Sequence, residues 1–446
     1  MQKILSPLQA QVVQWQVQPG DAVNPGDVLV ILEAMKMEHE IRTAQLGQLG
    51  EVFFQAGETV GEGEVLALLT PATAQVAAAA SPDVPVPASG LAQAAAPAER
   101  ADLQKLQARL AFTHDAQRPE AVAKRHAMGM RTARENIADL CDAGSFVEYG
   151  ALAVAAQSRR RSTDDLVRNT PADGMVTGIG TVNGQRVVVM AYDFTVLAGT
   201  QGMRNHQKTD RMLGVALQNN LPVVLLAEGG GGRPGDVDVA IVAGLNLATF
   251  ASFARLNGRV PVVGVVAGRC FAGNAALLGC SDVVIATRNS NIGMGGPAMV
   301  EGGGLGVFKP EEIGPSDVQH GNGVIDVLVE TEAQAVAVAR HYLSFFQGAA
   351  PTWQAPDAQA LRQVVPENRL RVYDTRAALQ GVADEGSLLM LRTGFGVGIH
   401  TALARIAGRP VGLMANNPLH LGGAIDADAA GAADEPSNTG SLAGYA

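Results

Sequence analysis

Residues 17–32, VQPGDAVNPGDVLVIL, recur as residues 54–69, FQAGETVGEGEVLALL, at a constant offset of 37. Each copy places glycines at turn positions, where the backbone can take a positive φ, and follows them with a short Val and Leu run typical of a strand. Two such units packed face to face predict a small all-β sandwich over residues 1–71. Between the copies, the stretch EAMKMEH at 33–39 predicts an exposed hairpin.

The composition changes sharply after this unit. Residues 71–98 contain 12 Ala, 5 Pro and one charged residue, Asp83. Such a stretch cannot form a core, and its prolines favour extended conformations. As a random coil it would span about 30 Å. The sequence therefore predicts a flexible linker over residues 72–98, which makes residues 1–71 a separate domain.

Beyond the linker, apolar runs alternate with helical patterns. Residues 211–217 and 239–256 are predicted helices, and Thr132 and Glu135 have the spacing of a capping box. This alternation favours an α/β domain whose strands are covered on both faces. The predicted strands are residues 187–191, 221–227, 260–266 and 283–286.

A second repeat organises the rest of the chain. The sequence TVNGQRVVVMA at 181–191 resembles RIAGRPVGLMA at 405–415, at an offset of 224. Each copy joins a glycine turn to an apolar strand, so we expect two tandem copies of one fold, over residues 99–350 and 351–446. At this offset residue 446 corresponds to residue 222, and the second copy is therefore expected to be truncated.

Composition and charge argue against several classes of protein. The 446 residues include 33 Lys and Arg against 43 Asp and Glu, a formal net charge of −10, whereas a nucleic-acid surface needs a basic face. Three cysteines are too few and too scattered for a disulfide framework or a metal site. No apolar run reaches membrane-spanning length, and the first residues lack the core of a signal peptide. We therefore expect a soluble, cytoplasmic protein without a metal.

Lys36 lies between two methionines, Met35 and Met37, at the predicted hairpin. It is either an ordinary surface lysine beside two packed methionines or an attachment point presented to a modifying enzyme. The stretch EAMKMEH resembles the biotinylation motif of biotin carboxyl carrier domains, and the resemblance covers residues 1–71. It implies biotin bound covalently to Lys36, with Met35 and Met37 in the same site. Lipoyl domains share the architecture, but acidic and small residues usually flank their lysine.

Three glycine-rich segments follow predicted strands: EGGGGR at 228–233, GRCFAGNAA at 268–276 and NIGMGGP at 291–297. Glycines after a strand let a ligand approach the backbone, and small residues that open a helix leave amide N–H groups for an oxyanion. Tight turns and close helix–strand packing are the alternatives. The absence of a Walker A lysine and of Rossmann spacing argues against a nucleotide phosphate loop. The candidate substrate-binding residues are Gly230, Gly231, Arg233, Ala272, Gly295 and Gly296.

This part of the chain resembles the carboxyltransferase subunits of biotin-dependent acyl-CoA carboxylases. The resemblance rests on the order and spacing of RTARENI at 131–137, DAGSFVE at 142–148 and the glycine-rich segments, and it resumes at 408–428. It implies the crotonase/ClpP-like spiral fold, repeated as an N and a C domain. The expected fold class is multidomain: a small all-β biotinyl/lipoyl sandwich, then an α/β carboxyltransferase spiral domain with an incomplete second copy.

The resemblance also implies a mechanism. Carboxybiotin releases CO2 in the site, the freed ureido nitrogen removes the α-proton of an acyl-CoA thioester, and the resulting enolate attacks CO2. No protein base is then needed, and two backbone oxyanion holes stabilise the charges. In the family the first hole is usually formed by Gly-Gly, at the position of Gly273 and Asn274, so the asparagine is expected to change the pocket. The second hole would fall near residue 497, past residue 446.

We therefore expect a biotin carrier fused to a carboxyltransferase component, which transfers CO2 from carboxybiotin to the α-carbon of an acyl-CoA of the acetyl-CoA or propionyl-CoA type. The expected partners are acyl-CoA, a biotin carboxylase subunit, a biotin protein ligase and further copies of the chain. The arginines at 159–161 and Lys208 are candidates to bind the CoA phosphates. Cys270 is expected to be a small buried thiol rather than a nucleophile.

Two alternatives stay open. The first is a non-catalytic biotin carrier and scaffold with an incomplete transferase domain. The second is a crotonase-type CoA hydrolase or isomerase, which would need an acid or base near Gly273, and Glu301 is the candidate. Isotope exchange at the acyl α-carbon separates an active transferase from a scaffold.

Overall fold

A computed structural model describes residues 1–71, 100–238 and 247–433. The chain divides into two compact units, Met1–Ala98 and Glu99–Ala446. The predicted linker at 72–98 lies outside the described residues, so its flexibility stays a prediction. In the part of the chain that is described, no helix combines the length and the apolar character that a membrane span requires.

The first unit contains two four-stranded sheets, ordered β1-β8-β6-β3 and β5-β4-β2-β7. Their inner faces share one apolar core, in which Leu29 and Leu66 are fully buried. The predicted all-β sandwich is confirmed. The strands are β1 (Gln2–Leu5), β2 (Ala10–Trp15), β3 (Ala22–Val23), β4 (Val28–Ala34), β5 (Met37–Arg42), β6 (Gly47–Val52), β7 (Thr59–Val60) and β8 (Val65–Pro71).

The sequence repeat of the first unit is also a structural repeat. Strands β2, β3 and β4 reappear, shifted by 37 residues, as β6, β7 and β8. The short strands exchange partners between the halves, because β3 pairs with β6 and β7 pairs with β2. Gly20 and Gly57 occupy equivalent turns with φ of 100° and 92°, a conformation that costs glycine little. The exchange ties each half to the other, so neither half has a complete sheet alone.

The second unit is built on one seven-stranded sheet with the order β17-β15-β13-β12-β11-β10-β9. Its strands are β9 (Val147–Tyr149), β10 (Met175–Val182), β11 (Gln185–Tyr192), β12 (Val223–Leu226), β13 (Val262–Val266), β15 (Val283–Thr287) and β17 (Val327–Val329). The five strands from β11 to β17 are parallel, and β9 and β10 are antiparallel. A two-stranded sheet, β14 (Arg269–Phe271) with β16 (Asn291–Gly293), follows the carboxyl ends of β13 and β15.

Helices cover both faces of the large sheet. On one face Leu225 packs in a core with Met212, and on the other Val224 packs with Val336. The side chains of β12 and β13 are buried on both faces, as a parallel sheet requires. The helices are α1 (Ala101–Ala111), α2 (Pro119–Ala127), α3 (Ala133–Leu140), α4 (Thr163–Asn169), α5 (Met203–Asn219), α6 (Thr249–Ala254), α7 (Gly273–Leu278), α8 (Pro297–Gly302), α9 (Ser316–Gly321), α10 (Glu332–Ser344) and α11 (Thr375–Val382).

The predicted helices are present, with different bounds. Thr132 and Glu135 form the predicted capping box at the start of α3. Helix α5 begins at Met203, eight residues before the predicted start, because its first turns bury polar side chains such as Asn205 and Lys208, which hide the apolar periodicity. Of the helix predicted at 239–256, the described part is α6, and residues 239–246 lie outside the described residues.

The second repeat is confirmed in the last part of the unit, where β18 (Leu389–Leu391), β19 (Ile399–Ile406) and β20 (Arg409–Asn416) form an antiparallel sheet. Strands β19 and β20 lie 224 residues after β10 and β11. Helix α11 and strand β18, however, lie 242 residues after α3 and β9. The difference arises because the first copy carries α4 between β9 and β10, whereas β18 and β19 are joined by a short turn.

Candidate functional site

Lys36 occupies the tip of the hairpin between β4 and β5. Ala34 and Met37 form the last strand pair, so Met35 and Lys36 alone make the turn, and both are left-handed with φ of 51° and 66°. This two-residue turn normally prefers asparagine or glycine. Lys36 is exposed, and the described residues contain no hydrogen-bond or ion-pair partner for its amine. The geometry presents the amine to solvent.

The two methionines beside Lys36 are on the surface. Met35 is 97% exposed and Met37 is 63% exposed. The alternative of a surface lysine beside two packed methionines is therefore wrong. Exposed methionines form an apolar, adaptable surface, which suits recognition by another protein or contact with an apolar cofactor ring.

The glycine-rich loop after β12 lies against two other segments. Gly229 donates its amide to the carbonyl of Arg269 at 2.7 Å and accepts from the amide of Phe271 at 2.9 Å. A Cβ on Gly229 would lie 2.1 Å from the carbonyl oxygen of Gly199, so this position admits only glycine. The loop is thereby fixed between strand β14 and the loop that contains Gly199.

The start of helix α7 forms the next wall of the site. Ala272 has φ 53° and ψ −122°, a strained backbone for a residue with a side chain, and donates its amide to the carbonyl of Gly293 at 2.9 Å. A Cβ on Gly231 would lie 2.6 Å from the Cβ of Ala272. The amides of Gly273 and Asn274 open the helix and have no acceptor among the described residues. Two adjacent free N–H groups of this kind can stabilise an oxyanion.

Two further glycines reach the same region. The Phe271 ring is 4% exposed and lies under Gly296, at 3.4 Å from an ideal Cβ on that glycine. Gly295 precedes it at the start of α8, against the side chain of Met299. The fold therefore brings the predicted segments 228–233, 268–276 and 291–297 together, although they are far apart in sequence.

The side chain of Asn274 is hydrogen-bonded to backbone groups of two neighbouring segments. It is fully buried, and its Nδ2 donates to the carbonyl oxygens of Glu228 at 3.1 Å and Gly199 at 3.3 Å. Its Oδ1 accepts the amide of Gly231 at 3.1 Å. The side-chain amide of Asn274 is thus fully hydrogen-bonded to neighbouring backbone, and the expectation that it changes the pocket stays a prediction.

Arg233 is a buried residue, and its guanidinium is fully engaged. It pairs with Asp173 and donates to the carbonyl of Thr200 at 2.8 Å. Its side chain is only 4% exposed. This arrangement favours a role for Arg233 in holding the loop. The sequence alone had predicted that Arg233 contacts the substrate.

A buried ion pair that sequence reasoning missed supports the glycine-rich loop from behind. Arg125 of α2 makes a bidentate contact with the carboxylate of Glu228, at 2.7 and 2.5 Å. Burial raises the pKa of Glu228 to about 7, against the opposing effect of Arg125. The pair lines a cavity of about 20 Å³, room for one water. A Glu directly after an apolar strand, before glycines, was the signal that could have indicated it.

The basic residues predicted to bind the CoA phosphates are buried or paired where the structure shows their partners. Lys208 is 4% exposed and donates to the carbonyls of Ala172 and Met175 at 3.0 and 2.5 Å, so it is not available to a phosphate. Burial lowers its pKa to about 8. Arg161 pairs with Asp165 at 2.5 Å. The prediction for Lys208 is wrong because its aliphatic chain and amine fit inside the fold.

A groove of about 600 Å³ beside α2 offers other cations. Lys124 and Arg168 line it and have no carboxylate partner among the described residues, and the Arg168 guanidinium lies 5.6 Å from the centre of the Phe112 ring. Glu120 is the acidic side chain in the lining. Thr195, which also lines the groove, lies four residues before Gly199, whose carbonyl accepts a hydrogen bond from Asn274. Four residues span at most about 14 Å, so this wall of the groove lies within that distance of Gly199.

The remaining candidate side chains give no catalytic pair. Cys270 is fully buried, as expected, and burial raises the pKa of its thiol. Glu301 is an exposed residue of α8. In the described ranges, no group of three His, Cys, Asp or Glu side chains has the arrangement of a metal site.

Comparison with known families decides the relationship. A family model described as the carboxyl transferase domain matches residues 124–435. The chain belongs to the carboxyl transferase domain family. A second model, described as biotin-requiring enzyme, matches residues 2–69, so the first unit is a domain of the biotin-carrier type. Both halves of the expected fold class are confirmed.

Relatives within the carboxyl transferase family include subunits of acyl-CoA enzymes. The chain is 32% identical over 344 residues to the beta4 subunit of the biotin-dependent long-chain acyl-coenzyme A carboxylase of Mycobacterium tuberculosis, covering 73% of this chain and 63% of that subunit. It is 30% identical over 327 residues to the methylmalonyl-CoA carboxyltransferase 12S subunit of Propionibacterium freudenreichii, covering 70% of this chain and 61% of that one.

Two solved structures also resemble this chain. A single-chain, multi-domain long-chain acyl-CoA carboxylase is 51% identical with a TM-score of 0.76, and the match covers 99% of this chain and 42% of that chain. The transcarboxylase 12S structure is 27% identical with a TM-score of 0.64 and covers 75% of this chain. The present chain thus spans under two thirds of both curated subunits and under half of the single-chain carboxylase.

Proposed function

We propose that this chain carries biotin on Lys36 and provides the acyl-CoA half of a carboxyltransferase site, in which a carboxyl group is transferred to the α-carbon of an acyl-CoA of the acetyl-CoA or propionyl-CoA type. The observation that carries the proposal is the pair of free amides of Gly273 and Asn274, beside the glycine-rich loop, in a chain whose first unit is of the biotin-carrier type.

The residues of this chain would stabilise charge rather than move a proton. When the α-proton leaves a thioester, negative charge develops on the carbonyl oxygen, and the amides of Gly273 and Asn274 can hold that oxygen. Each such donor is worth about 3–4 kcal/mol of barrier in comparable sites. Biotin attached to Lys36 would supply the carboxyl group and accept the α-proton. The absence of a paired acid and base among the described side chains near Gly273 is consistent with this division of roles.

The groove beside α2 is proposed to bind the nucleotide end of acyl-CoA. Lys124 and Arg168 offer two cations against one carboxylate, from Glu120, and the Phe112 ring offers an apolar face. Phosphates attract unpaired cations, and a purine ring packs on aromatic and guanidinium planes. Lys208 is buried and does not fit this role, whereas the exposed Arg159 and Arg160 stay candidates for it.

Attachment of biotin is tested with the full chain, biotin, ATP and a biotin protein ligase. We expect avidin capture and a biotin adduct on Lys36 by peptide mass spectrometry. Lys36→Arg should abolish the adduct, and Lys3→Arg, an exposed lysine of the same unit, should leave it unchanged. An unmodified Lys36 in the parent chain would contradict the proposal.

Chemistry at the acyl group is tested by exchange. We expect the chain to catalyse deuterium incorporation from D2O at the α-carbon of acyl-CoA in the presence of biotin. Exchange no faster than without protein, in a chain that is biotinylated, would favour the alternative of a biotin carrier and scaffold. A biotin-independent hydrolysis of the thioester would favour the crotonase-type hydrolase instead.

The proposed partners follow from the same roles. A biotin carboxylase subunit would load the carrier, a biotin protein ligase would modify Lys36, and further copies of the chain would assemble with it. Analytical ultracentrifugation of the full chain, alone and with a biotin carboxylase subunit, measures both associations. A monomer that binds no carboxylase would contradict this part of the proposal.

A further inference from the structure

The side-chain amide of Asn274 joins three separate segments. Its two N–H donors reach the carbonyl oxygens of Gly199 and Glu228, and its oxygen accepts the amide of Gly231. We name these three hydrogen bonds the Asn274 bridge. The side chain is 0% exposed, so every bond is shielded from water.

The Asn274 bridge holds a loop that has little means of holding itself. Residues 229–232 are four consecutive glycines, which have no side chains to pack and lose more backbone entropy on ordering than other residues do. Gly231 nevertheless lies against the start of α7, since its Cβ position is 2.6 Å from the Cβ of Ala272. The buried Asn274 amide bonds to Glu228 and Gly231 and so adds to the backbone hydrogen bonds of Gly229 in holding this loop.

The same bonds decide which amides remain free. Because Gly231 donates to Asn274 Oδ1, its N–H is not available to a ligand. The backbone amides of Gly273 and Asn274 have no acceptor among the described residues, and in the loop itself the same holds for the amides of Gly230 and Gly232. The asparagine side chain therefore fixes the wall that faces its own backbone N–H. A glycine at this position, which the family resemblance would lead one to expect, has no side chain and cannot form the bridge.

We propose that Asn274 acts through its side chain as a positioning residue, which fixes the loop 228–231 against α7 and so sets the geometry of the thioester oxygen site. The bridge itself stands on the contacts above, whereas its effect on catalysis rests on the proposed function. The two parts are tested by different measurements.

The bridge is tested by hydrogen exchange measured with mass spectrometry. In Asn274→Ala and Asn274→Gly we expect the amides of residues 228–232 to exchange at least about tenfold faster, because a hydrogen bond and its neighbours are lost. Asn219→Ala is the matched control, since the Asn219 amide donates to the Val215 carbonyl on an exposed face of α5. Unchanged protection of the loop in both Asn274 variants overturns the proposal, whatever their activity.

The positioning role is tested with Asn274→Asp. A neutral carboxyl supplies one donor and one acceptor and can restore part of the bridge, but an ionised carboxylate faces the carbonyls of Gly199 and Glu228 with no donor. Burial favours the neutral form, so we expect α-exchange by this variant, relative to Asn274→Ala, to rise several-fold as pH falls from about 8 to about 6. A ratio that does not change with pH overturns the positioning role.

The ratio of α-exchange in Asn274→Asp to that in Asn274→Ala also controls for neighbouring titratable groups. Glu228 with Arg125, Arg233 with Asp173, and Cys270 lie in neighbouring segments and are present in both variants, so the ratio divides out any pH effect that the two variants share. Circular dichroism and thermal melting establish that each variant is folded. If Asn274→Asp is not folded, the positioning role is tested instead by the loss of α-exchange in Asn274→Gly. A folded parent with no α-exchange would reject the proposed function alone, since hydrogen exchange would still report on the Asn274 bridge.

Discussion

Asp142 and Asp384 are the same residue in two copies of one fold. The carboxylate of Asp142 accepts the amides of Asn183 and Gly184 at 3.2 and 2.7 Å, and that of Asp384 accepts the amides of Ala407 and Gly408 at 3.0 and 2.7 Å. In each copy the aspartate thus fastens the helix that precedes it to the turn of the following hairpin. The pairs of amides are 224 residues apart, but the aspartates are 242 apart.

The first prediction concerns these two aspartates. Asp142→Ala and Asp384→Ala each remove a charged acceptor, which is worth about 1.5–3 kcal/mol of unfolding free energy. We expect Asp384→Ala to cost more, because Asp384 is 6% exposed, whereas the Asp142 side chain is 31% exposed and water can replace it. Urea unfolding of the full chain measures both. Asp317→Ala, at an 84% exposed side chain, is the control, and equal costs at all three positions would contradict the prediction.

The second prediction is a pH dependence from Glu228. Its folded pKa is raised to about 7 by burial, so between about pH 4.5 and 7 the folded chain keeps a proton that the unfolded chain has released. Stability contributed by this proton is present at low pH and is lost as pH rises through 7, by at most about 3 kcal/mol. The difference in unfolding free energy between the parent and Glu228→Gln, measured at several pH values, should show this slope.

A matched variant separates the pH effect from loss of the ion pair. Glu228→Gln replaces the carboxyl group by an amide that does not titrate, and it leaves Arg125 buried without a carboxylate at every pH. The slope is therefore read from the change in the difference, not from its size. A parent that matches Glu228→Gln in slope would contradict the prediction.

The third prediction concerns the groove beside α2. Lys124→Gln and Arg168→Gln should each weaken acyl-CoA binding by about tenfold, because each removes one unpaired cation from the proposed phosphate contacts. Binding of the corresponding acyl-pantetheine, which lacks the nucleotide, should not change. Calorimetry with both ligands makes the comparison.

Lys105→Gln is the control for a general loss of positive charge, because Lys105 is an exposed lysine of α1 that pairs with Asp102. Equal losses for acyl-CoA and acyl-pantetheine would place the nucleotide elsewhere. A loss in Lys105→Gln as large as in the groove variants would reduce the effect to long-range charge.

The fourth prediction concerns Gly229. A Cβ there would lie 2.1 Å from the Gly199 oxygen, so Gly229→Ala must move the loop or its neighbour. Displacement of about 1 Å at a reacting centre costs on the order of 100-fold in rate, and we expect such a loss in α-exchange. Gly214→Ala in α5, whose added Cβ meets nothing within 4 Å, should keep full exchange. A Gly229→Ala variant with parental activity would exclude the loop from the site.

Much of the architecture was predictable because it depends on short-range patterns. The offset of 37 predicted the sandwich and its symmetric turns, and the repeat near Gly184 and Gly408 predicted a second copy of the fold. The matching DAGS at 142–145 and DEGS at 384–387 were missed as a repeat, because α4 changes their offset from 224 to 242. Comparison at one constant offset cannot detect an insertion.

The state of individual site residues was less predictable. Three polar residues that the sequence offers as ligand contacts are bonded within the fold instead. The side chains of Arg233, Lys208 and Asn274 bind buried backbone or carboxylate groups of other segments. The Arg125–Glu228 pair joins residues 103 positions apart. Partners of this kind are set by the packing of strands and helices, and no local pattern records them.

The sequence alone determined what depends on local conformation: the glycine turns of the sandwich, the exposed tip at Lys36, and the order of the glycine-rich segments. Tertiary structure decided which backbone amides lack an acceptor and which side chains are hydrogen-bonded inside the fold. Burial of a polar group is costly unless it has a partner, and the fold determines which groups come within hydrogen-bond distance. Asn274 is the clearest case, since its backbone N–H was foreseen and the partners of its side chain were not.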